Sequence, residues 1–410
     1  MSTGKAGPLA GVKVVELSHI MAGPVCGLML ADLGADVIKV EKIPGGDDTR
    51  RAVPPKIGDE SAAFMMMNRN KRGIAIDLKT SGGIEAMRRL LRDADVLIEN
   101  HRRGTMERLG LGYESLKKVN PGLIYCAVSG FGRTGPYADR GGFDLIAQGM
   151  SGLMSITGEG PGRPPVKVGA PVTDITAGIL AAMGVLAAYV HRLKTGEGQV
   201  VDTSLFEAGI VHTYWQSAIC LATGVPPGPM GSAHPLNAPY QAFPTADGWI
   251  NVGAANQRNW EKLADALGAE ALKSDERFRT NADRMANLAA LTALLDEKFR
   301  MRPTAEWLTR LEAAGVPAGP VLSVAEMHAD PQARAREMVV RVEHSGVGPV
   351  ETIGAPVKLS ATPASVRRGA PQFGEHTREV LRAHGYTDAE IDRMVKDGAV
   401  AEQSAGAGSR

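Results

Sequence analysis

In the stretch "GAPVTDITAG" (169–178), one carboxylate stands between a Pro- and Gly-bearing segment and a long apolar run. An Asp just before a helix is a preferred N-cap, because its oxygen accepts a free backbone N–H. The same N–H donors and the helix dipole favour the charged carboxylate. A carboxylate nucleophile also needs that charged form near neutral pH. Asp174 therefore has two compatible readings, helix cap and nucleophile. The helix that follows carries Gly178 and Gly184 and is apolar all round. Such a helix is expected to be deeply buried or to lie at a subunit contact.

Basic residues recur after successive apolar runs. Arg69, Lys71 and Arg72 open one run and Lys79 follows it; Arg102, Arg103 and Arg108 follow the next, and Arg133 and Arg140 the one after. Lys and Arg are most often solvated surface charge. Their recurrence at equivalent places points instead to an anionic ligand, because both suit phosphates through charge-assisted hydrogen bonds. His19, in the turn "SHIMAGP", is read as a ligand contact or an ordinary loop residue. That turn has only Gly23 before Pro24 and lacks GxGxxG. A dinucleotide reading is therefore weak, although Glu41 closes the next run where a ribose-binding acid would sit.

These residues must be held by a scaffold, and the pattern describes one. "VKVVEL" (12–17) and "ADVIKVE" (35–41) read as strands flanking a helix from Pro24 to Leu33. Further strands are expected at 73–78, 95–100 and 123–129, with helices at 82–94 and 113–119 between them. Apolar strands alternating with helices imply an α/β fold with a mostly parallel sheet covered on both faces. The Pro/Gly-rich stretch 223–239 marks a domain boundary. The expected organisation is a large domain over 1–222, a smaller α/β or α+β domain over 223–325, a return to the large domain over 326–400, and a disordered tail at 401–410. Within these, a strand is expected at 249–254, helices at 257–268, 280–299 and 303–314, a strand-like stretch at 350–360, and two short helices with start signals at Thr377 and Asp388.

Composition narrows the classes. The chain has 410 residues and a formal net charge of +1, from 46 basic and 45 acidic residues. That balance argues against nucleic acid or a membrane surface as the main partner. Three cysteines, none in CxxC spacing, argue against a metal knuckle or disulfide framework and suit a reducing cytosol. No metal site is expected. No signal peptide is visible, and the apolar run Ile175–Val190 is shorter than the roughly 20 residues of a membrane span. A cytoplasmic protein is expected.

The residues together resemble the class III CoA-transferases, the CaiB/BaiF group that includes the formyl-CoA and carnitine enzymes. The resemblance runs from "PLAGVKVVELSHIMAGP" to "GEHTREVL", through "DLGADVIKVE", "NRNKRGIAIDLK", "SGFGRTGPYADRGGFDLIAQGMSGLMSITG", "GAPVTDITAG" and "KTGEGQVVDTSLFEA". It implies a large Rossmann-like domain built from both chain ends, a small middle domain, and two subunits interlocked as a homodimer. It implies Asp174 as the nucleophile that attacks an acyl-CoA thioester, passing through an aspartyl anhydride and an aspartyl-CoA thioester. Asp144 matches an acidic position near the reaction centre. CoA contacts carry over to His19, Met21, Lys42, Ile76, Asp77, Leu78, Lys79, Asn100 and Arg108, with Arg140 as a nearby candidate. The partners implied are an acyl-CoA, with succinyl-CoA a reasonable donor, and a small organic acid. No permanently bound cofactor is implied; the CoA thioester is substrate.

Three rival readings follow. The racemase branch of the family carries "GHDINY", where this chain has "GFDLIA"; Phe143 cannot transfer protons. An NAD-dependent oxidoreductase lacks its fingerprint here. A non-catalytic CoA-binding protein would keep the basic positions without needing Asp174. Met21 stands where formyl-CoA transferases have Gln, and 223–235 lacks their glycine run. Both departures argue against formyl or oxalyl chemistry.

Overall fold

The computed structural model describes residues 7–403. They fall into two compact units. The first comprises the described chain through Ser151, Val168–His212 and the chain from Pro331 onward; the second comprises Gly152–Lys167 and Thr213–Asp330.

The first unit is built on a sheet of seven strands. Six are parallel: β1 (Lys13–Leu17), β2 (Asp36–Lys42), β3 (Arg72–Ile76), β4 (Val96–Glu99), β5 (Ile124–Ser129) and β6 (Val200–Ser204). Their spatial order is β3-β2-β1-β4-β5-β6, the doubly wound order of Rossmann folds. The short strand Val400–Ala401 adds antiparallel to the free edge of β3. Residues 401–403, expected in a disordered tail, are thus tied down. The Thr377 hydroxyl donates to the Ala401 carbonyl at 2.7 Å, and Arg378 pairs with Glu402. Residues 404–410 lie outside the described residues.

Apolar runs form these strands because both faces are covered. Val15, Ile38, Ile74 and Leu97 enter one core; Val14, Val37, Val96 and Ile124 enter the other. On the second face lie α1 (Ala22–Asp32) and a 24-residue helix, Val172–Thr195. Two glycines let the long helix pack closely, Gly178 on α1 and Gly184 on β6. A Cβ on Gly178 would fall 2.6 Å from the Ala22 carbonyl oxygen, and one on Gly184 would fall 2.6 Å from Val201 Cγ1. Gly178 therefore seats the start of the long helix against the start of α1.

Of the two settings expected for that helix, deep burial and a subunit contact, deep burial on all sides is not found. Ala177, Ala181, Val185 and Ala188 pack into the core, but Met183 is 61% exposed and Leu193 71%. One side is buried and the other is not. The helix also exceeds the run read from sequence, and by length and composition alone it would span a bilayer.

The second unit has a three-stranded antiparallel sheet, with Trp249–Gly253 between Tyr240–Pro244 and Ala318–Pro320. Its core is aromatic, with Phe243 stacked on Phe299 at 4.9 Å between ring centres. The single helix expected at 280–299 is two, Asn281–Ala286 and Leu288–Phe299, because Asn287 leaves the helical conformation. In the first unit, the stretch 350–360 is a strand only through Ile353, paired with Val339–His344. The last helix is capped by Thr387, whose hydroxyl accepts from Glu390 N, and not by Asp388. The helix Thr377–Ala383 has His376 at its N-cap.

Candidate active site

In an open α/β sheet, ligands sit outside the carboxyl ends of the strands where the strand order reverses. Here the reversal falls between β1 and β4. β1 runs into His19, and β4 runs into Asn100. The Asn100 side chain joins the two strand ends. Its Oδ1 accepts from His19 N at 3.0 Å, and its Nδ2 donates to His19 O at 2.8 Å. The next residue, Ile20, has φ +64°, a conformation rare for a β-branched side chain. Its N–H donates to Asp47 Oδ1 at 3.1 Å, so two side-chain acceptors shape this turn.

Asp47 belongs to a charge network under the turn. Lys39 lies 3.0 Å from Glu16 Oε1 and 2.8 Å from Asp47 Oδ2, and Lys71 lies 2.7 Å from Glu16 Oε2. The Lys39, Glu16 and Lys71 side chains are fully buried. Burial opposes the charge on Lys39, but Glu16, Asp47 and Glu41 hold its pKa above the ordinary value. For Lys71, burial outweighs Glu16 and brings the pKa down to about 8. Glu41, the candidate ribose acid, is taken by Arg50, with Nε and Nη2 each 2.7 Å from its oxygens.

Above the strand ends opens a cavity of about 420 Å³, and Asp174 lines it together with His19, Met21, Asn100 and Arg140. Five of the twelve residues expected from sequence thus share one wall. The others stand elsewhere. Lys42 is half exposed and pairs at 2.7 Å with Asp48, which itself lines the cavity. Arg108 is exposed and donates to the hydroxyl of Thr105, another lining residue, at 3.0 Å. Ile76 is buried at the end of β3, two strands from the switch point, and Asp77, Leu78 and Lys79 continue from it. The Asp77 carboxylate accepts from Lys79 N at 2.9 Å.

Asp144 opens the helix Asp144–Met150 and does not line the cavity. Its Oδ1 accepts from both Thr173 N at 3.0 Å and Thr173 Oγ1 at 2.8 Å; its Oδ2 accepts from Gln148 Nε2 at 2.7 Å. This corrects the reading of Asp174 as cap. The N-cap position of the long helix is Pro171, and Asp174 lies in its first turn with no cap hydrogen bond. The correction extends to its charge. Burial, reinforced by the Asp144 charge, pushes the Asp174 carboxyl up to about 6, where helix-start donors alone would lower it. At neutral pH the group is still mostly ionised.

Two further groups on the cavity wall escape a reading by motif. Glu99 closes β4 and is 1% exposed. Its oxygens accept from His101 N at 2.7 Å and Arg133 Nη1 at 2.8 Å, yet burial pushes its carboxyl up to about 7. His101 is pushed down to about 4, by burial and then by the neighbouring His19 and Lys42. Its ring meets that of His19 edge-on, with centres 5.8 Å apart. The available signal was the acid ending the apolar run "VLIE". An acid at that place faces either solvent or a site, and the sequence does not distinguish them.

The fold is α/β with a parallel sheet, and at its switch point a carboxylate without a hydrogen-bond partner among the described residues faces the crevice, an arrangement suited to covalent group transfer. The family model for CoA-transferase family III matches residues 9–377, and the chain belongs to that family. It is 43% identical over 380 residues to a succinate–glutarate CoA-transferase of Agrobacterium fabrum, covering 91% of this chain and 95% of that protein. It is 37% identical over 397 residues to the human succinyl-CoA:glutarate CoA-transferase, covering 96% and 90%. A solved CaiB/BaiF family protein from Brucella suis superposes with a TM-score of 0.83 at 43% identity, covering 93% of this chain and all of that one. The protein is a CoA-transferase of class III, as the sequence resemblance implies.

Proposed function

We propose that this enzyme moves CoA between two small dicarboxylic acids, with succinyl-CoA as donor and an acid of glutarate size as acceptor, and that Asp174 carries the acyl group and then CoA. The observation that carries the reading is the Asp174 carboxylate. It lines the switch-point cavity, is largely ionised at neutral pH, and holds no hydrogen bond among the described residues. The names of the similar proteins support the substrate class.

The steps balance without an added co-reactant. An Asp174 oxygen attacks the thioester carbonyl, the C–S bond breaks, and CoA leaves as thiolate; the product is a mixed anhydride. The thiolate then attacks the Asp174 acyl carbon and releases the donor acid as carboxylate. The acceptor carboxylate attacks the resulting aspartyl thioester, the C–S bond breaks to release the thiolate and leave a second mixed anhydride, and the thiolate then attacks the acceptor acyl carbon, releasing the Asp174 carboxylate. Splitting the exchange lets each step use an activated acyl group. In this reading Asp144 orients the helix start and tunes Asp174, while His19, Met21, Asn100 and Arg140 hold the thioester end of CoA. Lys42, Arg108 and the segment Ile76–Lys79 meet its nucleotide portion.

The same reading takes the protein as an interlocked homodimer in the cytoplasm. Support comes from exposed apolar side chains on two helices beside the site. Met183 and Leu193 stand on one, and Leu145 and Ile146 on the other. Monomers rarely leave such faces uncovered.

The test is a donor–acceptor screen scored by CoA exchange, with intact-mass measurement after incubation with acyl-CoA alone. Exchange between succinyl-CoA and glutarate is expected, with a covalent adduct that Asp174→Ala abolishes. No exchange and no adduct across a broad acyl-CoA panel overturns the reading.

A further inference from the structure

The segment from Gly130 to Gly142, between β5 and the helix Asp144–Met150, closes on itself. A Cβ on Gly130 would fall 2.6 Å from Gly142 Cα, and one on Gly142 would fall 2.5 Å from Gly130 Cα. Only glycine lets two backbones meet this closely. The loop so formed supplies Arg133, Asp139 and Arg140 to the wall of the Asp174 cavity, and Phe143 follows it.

Two tethers hold this loop. One is aromatic. Phe131 packs on Phe206 at 5.9 Å between ring centres, and Tyr137 meets Phe131 edge-on at 5.7 Å. The Arg140 guanidinium lies 4.0 Å from the Tyr137 ring centre. Arg140 makes no ion pair among the described residues, so its charge is available to a ligand. The other tether is Arg133. Its Nη1 lies 2.8 Å from Glu99 Oε1, its Nη2 2.6 Å from Glu107 Oε1, and its backbone N donates to Asp202 Oδ2 at 3.1 Å. These acids come from three separate places: the end of β4, the helix Thr105–Arg108, and β6. A planar guanidinium holds two carboxylates along directions fixed by its fork, whereas an ammonium is a rotatable point charge that fixes none. One partner, Glu99, is buried, where charge-assisted bonds are strong.

We propose that Arg133 is a positioning residue: it clamps the 130–142 loop so that Arg140 keeps its place on the cavity wall and meets the anionic part of the acyl-CoA. Arg133 directs one N–H of each terminal nitrogen at these carboxylates, and in the proposed role it has no contact with a reacting atom. The proposal rests on the CoA-transfer reading of the site.

The test compares Arg133→Gln, Arg133→Lys and Glu107→Gln with the parent protein. The readouts are steady-state kinetics, calorimetric binding of CoA, and the rate of tryptic cleavage after Arg140. Loss of two charge-assisted bonds in Arg133→Gln is expected to raise KM for acyl-CoA and Kd for CoA on the order of tenfold, with kcat within about threefold. KM for the acceptor acid should hold, and cleavage after Arg140 should accelerate. Arg133→Lys should fall between. If Arg133→Gln does not fold, the exposed pair broken in Glu107→Gln should give the same shifts at smaller size. Unchanged KM, Kd and cleavage in the folded variants overturns the proposal. So does a fall in kcat at constant KM, which would place Arg133 among the reacting groups. If the parent turns over no CoA pair, the transfer reading fails, and binding and cleavage still decide whether Arg133 orders a CoA-binding wall.

Discussion

Thr173 donates twice to a single oxygen of Asp144, from its backbone N–H at 3.0 Å and from its hydroxyl at 2.8 Å. The long helix is therefore capped by an acid 29 residues earlier in the chain. Its own acid, Asp174, is released from that task and faces the cavity. Proximity to the capping acid is one of the two causes that raise the Asp174 pKa. The two carboxylates divide the work: one holds the helix start, and the other is presented.

This division can be measured in Asp144→Asn and Asp144→Ala. The acid limb of kcat/KM should follow Asp174, centred near its pKa of about 6. Asp144→Asn keeps an acceptor for Thr173 but removes the repelling charge, so the limb should move to lower pH by up to roughly one unit. Asp144→Ala should shift it similarly and also destabilise the protein by about 1 kcal/mol through the lost cap. A limb that stays put in both variants would show that the Asp144 charge does not reach Asp174.

Presenting Asp174 carries a stability cost with a definite pH sign. Its folded pKa, about 6, lies above the ordinary 3.8, so the folded state holds the proton more tightly than the unfolded state. The penalty is full above pH 6, shrinks as pH falls through 6, and is gone below about 3.8. Asp174→Asn should thus stabilise the protein at pH 7.5 by about 1–2 kcal/mol, and the gain should fade by pH 4. Melting temperatures of parent and variant across pH 4–8 would test this. A gain that grows toward acid would contradict it.

Asn100 fastens β1 to β4 by two hydrogen bonds to the His19 backbone. Asn100→Ala leaves a partly buried N–H and C=O without partners, at a cost of about 1–3 kcal/mol. Because the same bonds shape the His19–Met21 turn, KM for acyl-CoA should rise in parallel. Denaturant titration and kinetics on one preparation would check both. A stable variant with unchanged KM would remove Asn100 from the site's architecture.

Lys39 neutralises two acids in a dry place. Lys39→Met leaves Glu16 and Asp47 short of a counter-charge, and the expected loss is about 3–5 kcal/mol. A loss under 1 kcal/mol by denaturant titration would mean that water or rearrangement satisfies these acids.

Much of the scaffold was legible before any coordinates. Strands β1 to β5 announce themselves as apolar runs, because a parallel sheet is covered on both faces and has little need for polar alternation. The turn at His19 was legible as a candidate ligand position from its place after a strand, and Asn100 only through the family resemblance. Asp174 was legible as an acid at a helix start. The family motifs tied these positions to CoA chemistry.

Other features depend on neighbours distant in sequence. Whether an acid at a helix start caps that helix depends on what else offers an oxygen, and here Asp144 does so from another helix. Which side of the apolar helix Val172–Thr195 is buried follows from Gly178 and Gly184, which matter only because Ala22 and Val201 lie against them. Glu16, Lys39 and Glu99 stand in apolar runs as isolated charges, and their meaning appears only when β1, β2 and β4 become neighbours. Local sequence determined the elements, since hydrophobic periodicity and turn chemistry act over a few residues. Tertiary structure decided the protonation of Asp174 and the hold on the 130–142 loop, since burial and charge pairing are set by what the fold brings near.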